Sequence, residues 1–451
     1  MSRNFHVDNL SENNLKTREL AETRCPECGK MVPQEAGHVV WCECGWNLKP
    51  LQVKESGNLL HRLYDGLGRK RGRAVFNELV KSSDLRPGVS IPMGLLFLAA
   101  AFIQLFTVAL LLFGIYLILA NYTNYLLIIL GLSLIVFAVT GRPRLGKVPA
   151  NCLAPDKFTG LHLTINRIAA LLKTSPPQCI VIDSHFNAEV TRRGLRQKKV
   201  LHLGLPLLLV LNGQEKVALI AHELAHFANG DLTRGVFVSI TLNTLEKWHH
   251  LLARDYFWPR RAAGKSRYGS RSGGLTGGIA NLAEFLTNVL VHLLSFVPYL
   301  FLWVLTRLAW DGQQRAEYLA DQLGARVSGT DAFVSMSEKM LFSSRVRLTA
   351  QRVVLKAHSR DVIAELQEEF SHIPPREFER LRRLAEMQET SLNATHPPTA
   401  LRIRLLKAMK FREPQLVLSE KDDAALTNEL SVLKQAVNQR LIDEYRRSLY
   451  R

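Results

Sequence analysis

The chain has 451 residues, enough for one large domain plus small modules. Apolar residues make up 47% of it, yet Lys+Arg outnumber Asp+Glu 58 to 40. That balance leaves two classes of partner, a nucleic acid or an anionic membrane surface. No repeat or low-complexity tract stands out.

The first residues, MSRNFHVDNLSENN, are polar throughout, and no cleavable signal peptide is visible. Next come two Gly-ended cysteine pairs, CPECGK at Cys25 and Cys28 and WCECGW at Cys42 and Cys44. With 13 residues between them they predict a zinc ribbon over 1–50, although the second pair is CxC and not CxxC. Four thiolates would close a structural tetrahedral site, and so small a segment could hardly fold without the ion. Its job is not written in the sequence. Substrate or partner recruitment is the expectation. Cys152 and Cys179 are far apart in sequence and are read as free thiols.

Residues 51–90 form a basic linker containing GRKRGR at 68–73. From Ile91 to Thr140 there is no Asp, Glu, Lys, Arg or His. A membrane span needs about 20 residues. The stretch therefore predicts a hairpin of two spans, turning at Asn121 to Asn124 with Tyr116 and Tyr125 at the interfacial level. It assigns the basic run to anionic lipid and argues against nucleic acid. Positive residues precede the first span (Arg62 to Arg86) and follow the second (Arg142, Arg144, Lys147), and the turn has none. The expected topology is a multi-pass protein of the inner (cytoplasmic) membrane. Both termini and the large domain after the hairpin are then expected to be cytoplasmic, which argues against disulfides.

The stretch LIAHELAHFANGD, 219–231, should be a buried helix. Asn212 and Glu215 have capping-box spacing, Asn229-Gly230 is a stop signal, and the residues between are apolar almost all round. His222 and His226 are four apart, so both imidazoles can reach one ion. Glu223 points off that face and suits a general base acting on the water such an ion activates. Two histidine ligands require a third, with one position left open. In QQRAEYLADQLG, 313–324, Glu317 and Asp321 share a helical face. Glu317 can supply the third ligand, and Asp321 can hydrogen-bond a liganding histidine from behind and fix its tautomer.

Between these motifs, 235–306 is apolar around a basic, Gly/Ser-rich insert, RDYFWPRRAAGKSRYGSRSGG. His226 and Glu317 must lie on one side of the membrane, so any crossings between them are even in number. Zero crossings are favoured, with the apolar segments lying along the membrane or packing on the domain; two remain open. After Asp331 the chain reads as polar, amphipathic helices. Within them, THPPTALRIRLL from Thr395 presets His396 before two prolines, with Arg402 at helical spacing. The pair could contact the oxyanion of a tetrahedral intermediate and the substrate backbone.

HELAHFANGD, RAEYLAD and HPPTALRI, in this order, resemble the HtpX-like membrane zinc metallopeptidases, the group that includes the CAAX prenyl endopeptidases. The resemblance runs from about Pro155 to Lys410. It implies a gluzincin-type peptidase in which His222, His226 and Glu317 hold zinc and Glu223 is the base. Asp321 then stands behind a ligand, and His396 and Arg402 make transition-state or substrate contacts. FNAEV from Phe186 and VLHLGLPLL from Val200 look like the family's small sheet, whose edge strand takes an extended substrate. The N-terminal cysteine module and the long basic insert depart from the family pattern. The expected fold is mainly α (α+β), with a helical zincin-type domain over 141–451. Two zinc ions are expected, one catalytic and one structural, with protein or peptide substrates; oligomeric state is not legible. A prenyl-type endopeptidase would need many spans. A non-catalytic scaffold would not need a complete set of ligands and base.

Overall fold

The computed structural model describes residues 21–35, 37–48, 59–81, 85, 91–142, 146–252, 275–356, 361–387, 396–409, 411 and 413–450. The fold is mainly α with a small sheet, as expected. In chain order it runs β1 (Ala21–Arg24), β2 (Met31–Gln34), α1 (Leu59–Lys81), α2 (Ile91–Ala120), α3 (Tyr125–Thr140), α4 (Thr159–Leu171), β3 (Cys179–Asp183), β4 (Ala188–Arg193), β5 (Lys198–Gly204), α5 (Leu205–Val210), α6 (Gly213–Ala228) and α7 (Asp231–Leu252). It continues with α8 (Leu275–Ser328), α9 (Thr330–Met340), α10 (Ser344–Lys356), α11 (Val362–Ser371), α12 (Pro375–Met387), α13 (Thr399–Met409), α14 (Glu420–Ser431) and α15 (Lys434–Ser448).

The uncharged stretch forms an antiparallel pair, α2 and α3, joined at Asn121 to Asn124. Asn124 caps α3 by accepting from the amides of Leu126 and Leu127. Gly114 and Gly131 let the two backbones touch: a Cβ on either would sit 2.7 Å from the other's carbonyl oxygen. Leu98, Leu105, Leu119 and Leu126 all point outward, a surface suited to lipid. By length and composition, α2 and the Val289–Ser328 part of α8 can each cross a membrane; α3, with 16 residues, is shorter.

Helix α8 has 54 residues and is therefore about 80 Å long. Its first half exposes Leu290, Leu293, Phe296, Val297 and Leu300, which does not suit packing on a water-facing domain. Helix α7 packs against α2 and α8 through Leu96, Ile103, Val238, Leu245 and Leu305. Its last turns stand beside the foot of α3. Thr244 donates to the Gly141 carbonyl at 2.9 Å, and Trp248 stacks on Phe137 at 5.0 Å. Helix α7 thus ends near the Arg142 end of the hairpin; residues 253–274, which hold the basic insert, lie outside the described residues.

The peptidase-region core is built on a three-stranded sheet of order β3-β5-β4, with β3 parallel and β4 antiparallel to β5. Buried Leu201, Leu203, Leu205, Leu208 and Ile220 join it to α6, which also packs on α8 and α9. Strand β4 is an edge strand and lies against α6. Cys152 and Cys179, expected as free thiols, are joined as a disulfide. The residues between them, 153–178, form α4 and its connections, which bring the chain back along β3, where Leu153 also donates to the Ile180 carbonyl. Sequence distance concealed spatial adjacency.

Candidate active site

Helix α6 starts on the expected capping box. Asn212 accepts from the Glu215 amide at 2.9 Å, and the Glu215 carboxylate accepts from the Asn212 amide at 2.8 Å. The helix ends at Asn229, and Gly230 takes φ 69°. His222 and His226 emerge from one face with ring centroids 4.9 Å apart. The last third of α8 brings Glu317 to them. One carboxylate oxygen lies 3.8 Å from His222 Nε2 and the other 3.7 Å from His226 Nε2. These spacings are too long for hydrogen bonds. They fit a shared cation, because bonds of about 2.0–2.1 Å in a tetrahedron hold ligand atoms about 3.4 Å apart. The three ligand atoms all lie within 4.8 Å of one another, and all three residues are buried or nearly so. The donor set, two imidazoles and a carboxylate, is one that zinc takes.

Glu223 is buried beside them. Burial pushes its carboxyl pKa up, and the two histidines only partly offset that. Asp321, fully buried on α8, places an oxygen 3.0 Å from His222 Nδ1. The approach falls short of a well-formed hydrogen bond, but among the described residues no other group partners that nitrogen.

His396 precedes α13 and turns its Nδ1 to Glu317, 2.6 Å from the carboxylate. Arg402, expected to face substrate, faces inward. Its guanidinium grips Asp321 with two bonds of 2.7 and 2.5 Å, and its side chain is largely buried. All seven residues singled out in the peptidase motifs are therefore in one constellation, with Arg402 reaching it through Asp321.

Two residues went unremarked in the sequence. Phe333 on α9 packs its ring edge-on to His222, 5.9 Å between centroids. Gly324 on α8 lets α6 and α9 approach: a Cβ there would meet Phe333 at 2.7 Å and the His222 amide nitrogen at 3.2 Å. Gly324 follows Asp321 in the quoted motif, but no spacing rule marks it.

The four N-terminal cysteines form a second candidate metal site. Cys25 and Cys44 sulfurs are 3.6 Å apart and Cys28 and Cys42 sulfurs 3.5 Å. A disulfide would hold its sulfurs at about 2.05 Å, whereas a tetrahedral site with Zn–S of about 2.3 Å spaces them by about 3.8 Å. Each pair closes a glycine turn, with Gly29 and Gly45 donating to the carbonyls of Cys25 and Cys42.

The chain is similar to the "Protease HtpX homolog" of Caldanaerobacter subterraneus subsp. tengcongensis, 25% identical over 244 residues, which are 54% of this chain and 75% of the relative. No solved structure matches it significantly. Residues 155–410, which include all seven residues of the constellation, match Peptidase family M48, so the chain belongs to that peptidase family.

Proposed function

We propose that this protein is a membrane-anchored, zinc-dependent endopeptidase acting on membrane or membrane-proximal proteins, in quality control. The convergence of His222, His226 and Glu317 beside a buried glutamate carries this reading. In this assignment the three converging residues hold the catalytic ion. Zinc bound there would polarise the scissile carbonyl and acidify a water molecule.

The chain's own groups do the rest. Glu223 takes a proton from the attacking water as its oxygen adds to the carbonyl carbon. The same carboxyl then passes the proton to the departing amine nitrogen as the C–N bond breaks. A raised pKa suits both halves of that exchange. His396 holds the Glu317 carboxylate through Nδ1 and offers Nε2 to the oxyanion. Asp321, fixed by Arg402, orients the His222 ring from behind. Edge strand β4 beside α6 suits an extended peptide backbone. The catalytic side is taken as cytoplasmic, from the charge pattern.

The test is Glu223→Gln in the full-length detergent-solubilised protein. It should abolish casein cleavage and leave the metal count unchanged, because the base is not a ligand. Cleavage near the wild-type rate would overturn the mechanism.

A further inference from the structure

The ribbon is not held out in solvent. Its own core is tiny: Cys25, Val32 and Cys42 with Val40 and Trp46 against them. Trp41 belongs to a different contact. Its residue is 2% exposed, although it sits next to Cys42 on the surface of a small module. It is buried by α12. Arg376 lies over its ring at 4.5 Å and Arg383 at 5.1 Å, and Arg376 also donates to the Trp41 carbonyl at 2.6 Å. Beside it, Arg345 on α10 approaches His38 Nδ1 at 3.0 Å and also Glu377 on α12. A buried tryptophan with two guanidinium groups against its ring is the composition of an interface anchor.

Helix α12 leads toward the active site by two routes. Along the chain, it precedes His396 by nine residues, 387 to 396. Through space, Arg382 makes a two-point bridge to buried Glu338 on α9, at 2.7 and 2.8 Å. The same α9 carries Phe333 against His222. The element with two states is the ribbon itself. Four thiolates without an ion cannot hold so small a core together, so the module is folded when loaded and unfolded when stripped. Trp41 immediately precedes Cys42, so its seat is lost with the fold.

We propose that the four-cysteine module is a metal-dependent clamp on α12 that places His396 at Glu317, so that loading the ribbon site sets activity at the distant His–His–Glu site. The occupant of the Trp41 surface is therefore the chain's own α12, and that surface is closed to an external partner while the clamp is shut. The activity half of the proposal rests on the peptidase reading; the clamp half does not.

Three variants of the full-length protein decide it: Trp41→Ala, Trp41→Phe, and Cys25→Ser with Cys28→Ser. Metal per chain, amide exchange and casein turnover are measured on each. Trp41→Ala should keep both metals, while exchange rises in 375–387 and 396–409. Its kcat should fall toward the roughly 100- to 1000-fold loss typical of removing an oxyanion donor. Trp41→Phe, which keeps an aromatic ring against the two arginines, should recover most of both. The double cysteine variant should lose one metal and otherwise match Trp41→Ala. Adding Trp41→Ala to His396→Ala should cost nothing more, since both remove the same group from the site.

Unchanged exchange in α12 and α13 overturns the clamp, whatever the activity. Raised exchange with wild-type kcat overturns its control of the site. If exchange also rises in core helix α6, the variant has unfolded; Arg376→Ala with Arg383→Ala, which removes the outer walls of the seat, then carries the test. If wild type and Glu223→Gln are equally inactive, the peptidase reading fails, and exchange alone decides the clamp.

Discussion

Asp321 and Arg402 form one unit. Both charges are withdrawn from water, and each satisfies the other through two bonds. Removing one partner of such a pair costs about 3–5 kcal/mol, because the other is left buried and uncompensated. Arg402→Ala should therefore destabilise the peptidase region by that order. Asp321→Asn should weaken metal binding about 10- to 100-fold, the usual effect of losing the group that orients a liganding histidine. Arg402→Lys, which keeps charge but not the two-point fork, should weaken metal binding in the same direction with KM for peptide unchanged. Metal titration followed by steady-state kinetics on the reloaded enzyme checks both. A raised KM with normal metal affinity would return Arg402 to the substrate.

The elements position the site through close approach. Helix α6 is fixed at its start by the Asn212–Glu215 box, and Glu215 is itself tied to Lys339 and Ser335 on α9. Helix α8 must come near enough to bring Glu317 beside the two histidines, and Gly324 is the contact that allows it. Gly324→Ala places a methyl group 2.7 Å from the Phe333 ring, which is fully buried and has nowhere to retreat. Overpacking of this kind costs about 1–3 kcal/mol. Thermal unfolding should show it, and metal affinity should fall in parallel, because the same displacement moves His222 from Glu317. A lower midpoint with unchanged affinity would mean that the site absorbs the shift.

At the scale of the molecule, the peptidase region and the apolar helices meet around α8, while the four-cysteine module sits against α10 and α12. Helix α1 braces α8 too, through Arg71 on Asp311 and Glu78 on Arg315. Docking of the ribbon should depend on pH. The His38 pKa is lowered by burial and then by Arg345, with Glu377, Glu35 and Arg380 also facing it. Glu377 is lowered as well: burial would raise it, and Arg380 outweighs that with help from His38 and Arg345. Both groups release protons more readily when docked, so their contribution is full above their undocked pKa values. It is lost as pH falls through the lowered ones. Exchange in α12 should therefore rise on acidification from neutrality, first through His38; a flat profile would exclude it.

Charge and disulfide point to opposite compartments. The positive-inside pattern would put Arg142 in the cytoplasm, and there a Cys152–Cys179 bond would be uncommon and the four N-terminal thiols ordinary. A cysteine at Thr123 should label with an impermeant thiol reagent in intact cells. One at Ser266, outside the described residues, should label only after the membrane is opened, since α7, which precedes the insert, ends near the Arg142 end of the hairpin. The reverse pattern would invert the protein and agree with the disulfide.

The sequence by itself determined whatever is carried by local spacing. Two histidines four apart, a capping box eleven and eight residues before Glu223, an uncharged stretch of two helix lengths and paired cysteine knuckles are each set by the pitch of a helix or the reach of a turn. They made the mainly α fold and the members of the constellation legible. Tertiary structure decided what depends on pairs distant in the chain. Arg402 turned from the cleft because Asp321, buried 81 residues earlier, needed a counter-charge. Cys152 met Cys179 because α4 doubles back along β3. Trp41 met Arg376 across 335 residues, and no periodicity in either segment announces the other. Spacing records which face a side chain occupies; what lies opposite that face is fixed only when the helices pack.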